Sequence, residues 1–142
     1  MGRIVVGIDT SPDAERALAW ALEEARLRDA EVELVHAYPT PELTALPMIV
    51  TLPDDAELRA AASSVLEDAL KAVGGPGDVP VTLTTRAGGA ASVLTQTAEG
   101  ADLLVVGARG LGGFRGLLLG SVSQQAVAHS PCPVVVVTRE RA

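Results

Sequence analysis

Five short runs of aliphatic and β-branched residues recur along the chain, separated by longer stretches in which apolar residues have a helical spacing. Short apolar runs of this kind are typical of strands buried on both faces of a parallel sheet. They predict strands over residues 3–8, 31–37, 79–86, 101–106 and 133–137. The run 79–86 differs from the others because it alternates polar and apolar residues and carries Pro80 near its start, which predicts an edge strand.

The intervening stretches predict amphipathic helices. In the first, Ser11 and Pro12 supply an N-cap and a first-turn proline. Its predicted apolar stripe is Ala14, Ala17, Leu18, Ala21, Leu22 and Ala25. A second helix is predicted to begin at Asp54 and to end at the glycine-rich residues 74–77, with the stripe Leu58, Ala61, Ala62, Val65, Leu66, Ala69 and Leu70. Shorter helices are predicted over residues 91–98 and 121–128.

The resulting order, β-α-β-α-β-α-β-α-β, predicts an α/β fold: a single-domain, doubly wound, five-stranded parallel sheet with helices on both faces, as in Rossmann-like proteins. Prolines at four positions between residues 38 and 53 argue against a helix there, and we predict a loop over residues 39–53. Such sheets bind ligands outside the carboxyl ends of the strands, where the winding reverses. Asp9 and Gly107 both lie at predicted carboxyl ends.

The composition restricts the partners that the chain can have. Its 142 residues are 48% hydrophobic, enough for one domain with a buried core. The formal charge of −7 argues against a nucleic-acid partner, since binding to the phosphate backbone needs clustered Lys and Arg. No apolar run approaches the roughly 20 residues that span a bilayer, so we expect no membrane partner. A single cysteine, Cys132, and the lack of a signal sequence predict a cytoplasmic protein.

A glycine-lined loop follows the predicted fourth strand and precedes the last helix. It reads Gly107-Ala-Arg-Gly110 and, after nine further residues, Gly120-Ser121. Glycines let a phosphate approach the backbone without a Cβ in the way, and the unpaired first-turn amides of a helix attract anions. Ser121 and Gln124 have the spacing of a capping box, in which the Ser121 hydroxyl bonds the amide of Gln124. We therefore expect an anion site at the start of a helix that Ser121 caps.

Two common phosphate motifs fit this loop poorly. A P-loop requires a lysine before the serine, and Leu119-Gly120-Ser121 offers none. A dinucleotide fingerprint can be placed on Gly110, Gly112 and Gly116, but that motif belongs after the first strand of its fold, whereas this loop follows the fourth. A nicotinamide or flavin enzyme is therefore disfavoured.

A third pattern, Gly-x2-Gly-x9-Gly-Ser, is met in full. With it occur Val-Val-Gly-Ile-Asp9 followed by Ser11, His36-Ala37 at the end of the second strand, and Ser130-Pro-Cys-Pro-Val-Val-Val-Val137. Together these motifs make nearly the whole chain resemble the single-domain, ATP-binding universal stress proteins. The resemblance implies one such domain over residues 1–142, with the adenine nucleotide alpha hydrolase-like form of the fold. It also implies ATP as the ligand, and leaves open AMP, a cyclic nucleotide and the presence of magnesium.

Carried over position by position, the resemblance implies a nucleotide site at the carboxyl edge of the sheet. The residues that would hold the phosphates and ribose are Gly107, Arg109, Gly110, Gly120 and Ser121, with Val122 and Ser123 adding contacts from the first turn of the helix. Asp9 would face the ribose or a metal ion. Ala37 would lie against the adenine and offer backbone hydrogen bonds.

Structural explanations stand beside these functional ones. Gly107 and Gly110 could serve only a tight exit from the strand, and the Asp9 carboxylate could accept local amides in an Asx turn. Arg109 could be solvated, although its place between two loop glycines predicts that it faces the mouth of the site. These alternatives stay open at the level of the sequence.

Three functions remain after these arguments. The first is a nucleotide-dependent regulator of the stress response that binds ATP and has no catalytic residue. The second is a slow ATPase, for which Asp9 and His36 are the candidate water-positioning groups. The third is an interaction module independent of nucleotide. The apolar strand Val134 to Val137 would invite pairing if it lay at an open edge, and the resemblance implies a homodimer through it.

Overall fold

The computed structural model describes residues 2–39, 54–109 and 119–138. Within them, five strands and four helices alternate along the chain. The strands are β1 (Arg3–Gly7), β2 (Glu31–Tyr38), β3 (Val81–Ala87), β4 (Leu103–Gly107) and β5 (Val134–Val137). The helices are α1 (Pro12–Arg28), α2 (Asp55–Ala72), α3 (Ala90–Thr97) and α4 (Ser121–His129). The predicted order of elements is confirmed.

All five strands are parallel and lie in the order β3-β2-β1-β4-β5. In the centre, Ile4 of β1 is opposite Val32 of β2 on one side and Leu103 of β4 on the other. The winding therefore reverses between β1 and β4, whose last residues are Gly7 and Gly107. The predicted doubly wound parallel sheet is confirmed, and its reversal point is where such folds bind ligands.

Alternate side chains along each strand fill two separate cores, one on each face of the sheet. On the first face, α1 and α2 contribute Leu18 and Leu66, both fully buried, against Ile4 and its neighbours. On the second face, α3 and α4 contribute Val93 and Ala126 to a smaller core. The prediction of helices on both faces is confirmed.

The predicted starts of α1 and α2 are confirmed by their capping bonds. The Ser11 hydroxyl accepts a hydrogen bond from the amide of Ala14 at 3.2 Å. The Asp54 carboxylate accepts one from the amide of Glu57 at 2.8 Å. Each cap satisfies an amide that the first turn of a helix leaves without an intrahelical partner.

The apolar stripes were predicted with one error. The α1 stripe is buried throughout, but Ala61 of the predicted α2 stripe is exposed. Helix α2 buries only the narrower strip Ala62, Leu66 and Ala69. It packs against β2 and β3 near the edge of the sheet, where a wide apolar face would find no partner. None of the described helices combines the length and the apolar character needed to cross a bilayer.

Arg3 ties β1 to the end of α3. Its guanidinium pairs with the Glu33 carboxylate at 2.6 Å and donates to the carbonyls of Thr97 at 3.1 Å and Glu99 at 2.7 Å. A cation is favoured at the C-terminal end of a helix, where carbonyls lack intrahelical partners. The bonds fix α3 on the second face of the sheet, with its N-terminal end at the carboxyl edge of the strands.

Candidate functional site

A cleft with an open volume of about 490 Å³ lies at the carboxyl edge of the sheet, where the winding reverses. Its described lining is Gly7, Ile8, Asp9, Ser11, Ala14, Val35, Ala37, Ala90, Leu94, Val106, Gly107, Arg109, Val122 and Ser123. Six of the nine predicted site residues are in this set. The sequence motifs are therefore brought together from strands that are distant in the chain.

The turn after β1 is organised by Asp9. Oδ1 of its carboxylate accepts the amide of Ser11 at 2.8 Å and also the Ser11 hydroxyl. This is the local bonding expected of an Asx turn, so that alternative is confirmed. Asp9 is half-buried and lines the cleft as well. Asp9 can organise the turn and also contact a ligand, because the bonds to Ser11 use only Oδ1 of its carboxylate.

Ala37 lies where β2 continues beyond the end of β1. The last β1 residue in the ladder is Gly7, opposite Val35, and the amide of Ile8 donates to the Val35 carbonyl at 2.8 Å. Backbone groups two residues apart in a strand face the same side. The amide and carbonyl of Ala37 therefore face the cleft side of β2, past the last paired residue of β1.

The wall beside Ala37 is apolar. Val35 lies on β2 opposite Gly7, Val106 lies near the carboxyl end of β4, and Leu94 comes from α3 on the same face of the sheet. None of these three residues is among those predicted from the sequence. Their signal is available in the pattern, because alternate residues at the ends of adjacent parallel strands share a face.

Gly107 has a packing role of its own. A Cβ built on it would lie 2.7 Å from the carbonyl carbon of Asp13 and 2.8 Å from the Asp13 Cβ. The first turn of α1 thus sits directly on the last residue of β4. Close packing against α1 is thus a structural reason for this glycine, and Gly107 also lines the cleft, whereas the tight strand exit stays a prediction.

Arg109 lies in the lining, as its place in the loop predicts. Its amide donates to Oδ2 of Asp13 at 3.1 Å. The other carboxylate oxygen of Asp13 pairs with Arg16. Asp13 is only 1% exposed, and it is not among the site residues predicted from the sequence. An acidic residue in the first turn of a helix is ordinarily explained by the helix dipole. Nothing in the sequence near Asp13 therefore indicates that its side chain is buried against Arg109.

The predicted capping box at α4 is wrong. Gly120 is the N-cap, with extended backbone angles and no side-chain capping bond, and Ser121 is already the first helical residue. The Ser121 side chain is exposed, and the Gln124 amide group donates to the carbonyl of Leu119 at 2.9 Å. The backbone amide of Gln124 bonds the Gly120 carbonyl, an ordinary helical bond that needs no serine cap.

The hydroxyl that organises this corner belongs to Ser123. It lies 2.9 Å from the carbonyls of both Ala108 and Gly120. The amide of Gly120 also donates to the Ala108 carbonyl at 2.7 Å. Ser123 is 3% exposed, so the start of α4 is fixed to the end of β4 by buried hydrogen bonds. Val122 and Ser123 line the cleft, whereas Gly120 and Ser121 are outside its described lining.

Some predicted features fall on parts of the chain that the structure does not describe. Gly110 is one of them, and so is the predicted loop of residues 39–53 apart from Pro39. Their placement relative to the cleft stays a prediction.

His36 is not in the described lining of the cleft. Its Nδ1 lies 2.7 Å from the carbonyl of Ile8, and its side chain belongs to the first face of the sheet, with Val32 and Leu34. The apolar wall of the cleft is on the second face. The His36 side chain is therefore on the opposite face of the sheet from the apolar wall of the cleft.

The cleft combines two chemical environments. One end is apolar and bordered by the backbone edge at Ala37, whereas the other carries Asp9, Arg109 and the first turn of α4. A flat heterocycle suits the first end, and an anionic group suits helix amides beside an arginine. Among the described residues, no group of three His, Cys, Asp or Glu side chains is placed to hold a metal ion.

Comparison with known proteins identifies relatives of the whole described fold. The sequence model of the Universal stress protein family matches residues 1–138. A universal stress protein of Thermus aquaticus is 38% identical over 94% of this chain and 96% of its own length. One from Mycobacterium tuberculosis is 39% identical over 96% of this chain. The chain spans about half the length of the Mycobacterium tuberculosis relatives it matches, 48% in this case.

Solved structures agree with this result. A universal stress protein in complex with cAMP has a TM-score of 0.72 and is 27% identical, with 98% of each chain covered. A universal stress protein from Archaeoglobus fulgidus in complex with dAMP has the same TM-score of 0.72 at 24% identity, covering 96% of this chain and 98% of its own. At that lower identity the second likeness is evidence of the fold alone.

Proposed function

This chain belongs to the universal stress protein family, and from that membership and the geometry of the cleft we propose that it binds an adenine nucleotide. One observation carries the proposal: an apolar slot with a backbone edge continues into a polar end formed by Arg109 and the start of α4. The cAMP complex of a 27% identical relative supports the adenine class.

The base occupies the apolar end. Adenine fits between Leu94 and the side chains of Val35 and Val106, where burial of its faces is favourable. The backbone amide and carbonyl of Ala37 then supply a donor and an acceptor to the base edge. Such a pair distinguishes adenine from bases that present the opposite pattern of donors and acceptors.

The phosphates occupy the polar end. The proposed contacts are Gly107, Arg109, Gly110, Gly120, Ser121, Val122 and Ser123, as the family motif implies. The exposed Ser121 hydroxyl can turn toward a phosphate oxygen. The Ser123 hydroxyl is already bonded within the fold, so its contribution is a first-turn amide. Asp9 faces the ribose, or a magnesium ion that enters with the phosphates.

We propose ATP as the ligand and a regulatory output in the stress response. The described lining offers no general base beyond Asp9, and Oδ1 of Asp9 is bonded to Ser11. Any hydrolysis is therefore slow, and ATP acts chiefly by occupancy. A homodimer through β5 and a cytoplasmic location complete the proposal, the latter because a single cysteine suits a reducing compartment.

The test begins with the purified chain. It is denatured, and any released small molecule is identified by chromatography. Calorimetric titrations with ATP, AMP, cAMP and adenosine follow, each with and without magnesium. We expect binding of at least one adenine nucleotide, and a chain that releases none and binds none overturns the proposal.

A matched pair of variants locates the site. Arg109→Ala removes the arginine that lines the cleft, and we expect it to weaken nucleotide binding by about tenfold, the value of one charge-assisted hydrogen bond. Arg28→Ala removes the same charge from the far end of α1, where the exposed Arg28 pairs with Glu24. Equal binding by the two variants places the nucleotide elsewhere.

A further inference from the structure

Asp13 is a buried carboxylate that joins α1 to the chain leaving β4 while lying outside the lining of the cleft. It is 1% exposed and belongs to the first turn of α1. One oxygen pairs with Arg16, and the other accepts the amide of Arg109 at 3.1 Å. A carboxylate withdrawn from water is costly unless it is paired and hydrogen-bonded. Both oxygens meet that requirement, so the side chain has a defined orientation.

The same residue is where α1 presses on β4. The backbone of Asp13 lies against Gly107, with no room for a side chain between them. Asp13 also follows the turn in which Asp9 bonds Ser11. The polar end of the cleft has two sides, the β1–α1 turn and the end of β4, and Asp13 joins them by packing and by a hydrogen bond.

We propose that Asp13 is a positioning residue for the phosphate-binding end of the cleft, an inference that rests on the nucleotide site proposed above. It fixes the amide of Arg109, and with it the direction in which the chain leaves β4. Arg16 orients the carboxylate from its other oxygen. Asp13 acts through Arg109 and makes no contact with the nucleotide.

Because of where Asp13 lies, loss of its carboxylate is expected to weaken the binding of the phosphate and not that of the base. The apolar end of the cleft is built by Val35, Leu94 and Val106 on the second face of the sheet, whereas α1 packs on the first. Loss of the Asp13 carboxylate therefore disturbs phosphate contacts and leaves the base contacts in place. AMP and adenosine share the base and differ in the phosphate, so they separate these two effects.

The direction in which AMP affinity changes in Asp13→Ala distinguishes a positioning role from a simple electrostatic effect. Removal of a negative charge near a phosphate, taken alone, tightens binding of that phosphate. If Asp13 instead positions the Arg109 amide, its removal weakens binding of the phosphate. Glu15→Ala provides the matched control, because Glu15 is an exposed acid two residues along the same helix and the substitution changes the net charge equally.

The experiment is calorimetric titration of the full chain with AMP and with adenosine. For Asp13→Ala we expect AMP affinity to fall about tenfold, as for one hydrogen bond to a charged group, with adenosine affinity held to about twofold. For Glu15→Ala we expect both affinities to stay at the wild-type value. Unchanged or tighter AMP binding by Asp13→Ala overturns the inference, and so does an equal loss for both ligands.

A second variant and a second measurement guard against loss of the fold. Asp13→Ser keeps a polar group in the first turn of α1 but is one bond too short to reach Arg109, and it replaces Asp13→Ala if circular dichroism shows the latter unfolded. In the wild-type chain the Arg109 amide is expected to be protected from hydrogen exchange, and fast exchange there overturns the inference. If the wild type binds AMP and the variants are folded, a failed prediction counts against the role of Asp13 alone. A wild type that binds none of ATP, AMP, cAMP and adenosine overturns the proposed function itself.

Discussion

The backbone of Asp13 occupies the space that a side chain on Gly107 would need. A Cβ at Gly107 would stand 2.7 Å from the carbonyl carbon of Asp13. The obstacle is backbone in the first turn of a helix, so it cannot rotate away as a side chain can. The start of α1 and the end of β4 are therefore in contact only because residue 107 is glycine.

Gly107→Ala is expected to lower the free energy of unfolding by about 1–3 kcal/mol, the range for forcing an extra methyl into close packing. Urea unfolding followed by circular dichroism measures the change. Gly89→Ala is the control, since its φ is −70° and no atom lies within 4 Å of the added Cβ. Equal midpoints for the two variants would contradict the close approach seen here.

Arg3→Met is expected to destabilise the fold by about 2 kcal/mol, because charged hydrogen bonds to Glu33 and to the end of α3 are lost together. The Glu33 side chain is 17% exposed and would keep only its bond from Thr84. Arg28→Met removes an exposed arginine paired with Glu24, which contributes about 0.5 kcal/mol or less. Chemical denaturation of both variants measures the free energy of unfolding. If Arg3→Met loses no more of it than Arg28→Met, Arg3 does not anchor α3.

Removal of magnesium is expected to weaken ATP binding more than AMP binding. In the described part of the cleft, Arg109 is the one cation against the Asp9 carboxylate, and the chain carries a formal charge of −7. A triphosphate therefore needs a divalent ion to screen it, and we expect about a tenfold loss of ATP affinity in a chelator. Titrations with adenosine supply the control, since no phosphate is present. A chelator effect of the same size on all three ligands would rule out screening as the cause.

The edge of β5 permits a sharp test of the proposed homodimer. The amide of Leu104 donates to the Pro133 carbonyl at 2.9 Å, and that of Ala108 donates to the Val137 carbonyl at 3.0 Å. Odd-numbered backbone groups of β5 thus face β4, and the amide of Val136 faces the open edge. Val136→Pro removes that outward amide without removing a bond to β4. We expect it to convert a dimer to a monomer in sedimentation velocity.

The opposite edge supplies the control. On β3, the Pro80 carbonyl accepts the amide of Val32 at 2.9 Å, so the amide of Thr85 faces outward. Thr85→Pro makes the same chemical change on that edge and should leave the dimer intact. A dimer that survives Val136→Pro, or that is lost only in Thr85→Pro, would place the subunit contact away from β5.

The fold was predictable because its signals are local. The Ser11 and Asp54 caps bond amides three residues away, and each central strand is a short apolar run whose type does not depend on distant residues. The width of the buried stripe of α2 was harder to predict from the sequence. Exposure of Ala61 depends on how far the sheet extends beneath the helix, and the periodicity of one helix does not contain that information.

The location of the candidate site could be predicted from the sequence, but most of the hydrogen bonds that hold it together could not. Motif spacing and the carboxyl-end rule pointed to Asp9, Gly107 and Arg109, the family resemblance added Ala37, and all four line one cleft. The S-x-x-Q pattern at α4 misled, because the hydroxyl that secures this helix bonds Ala108, fifteen positions back in the chain. Asp13 was missed for the same reason, since its partner Arg109 is 96 positions away. Bonds of that sequence separation have no periodic signature.

The bond between Gly120 and Ala108 joins the start of α4 to the end of β4. The two backbone groups lie 2.7 Å apart, and the buried Ser123 hydroxyl donates to the carbonyls of the same two residues. The position of α4 on the sheet is therefore set by Ala108, Gly120 and Ser123, and we expect any descendant of this chain that keeps these three residues to inherit it.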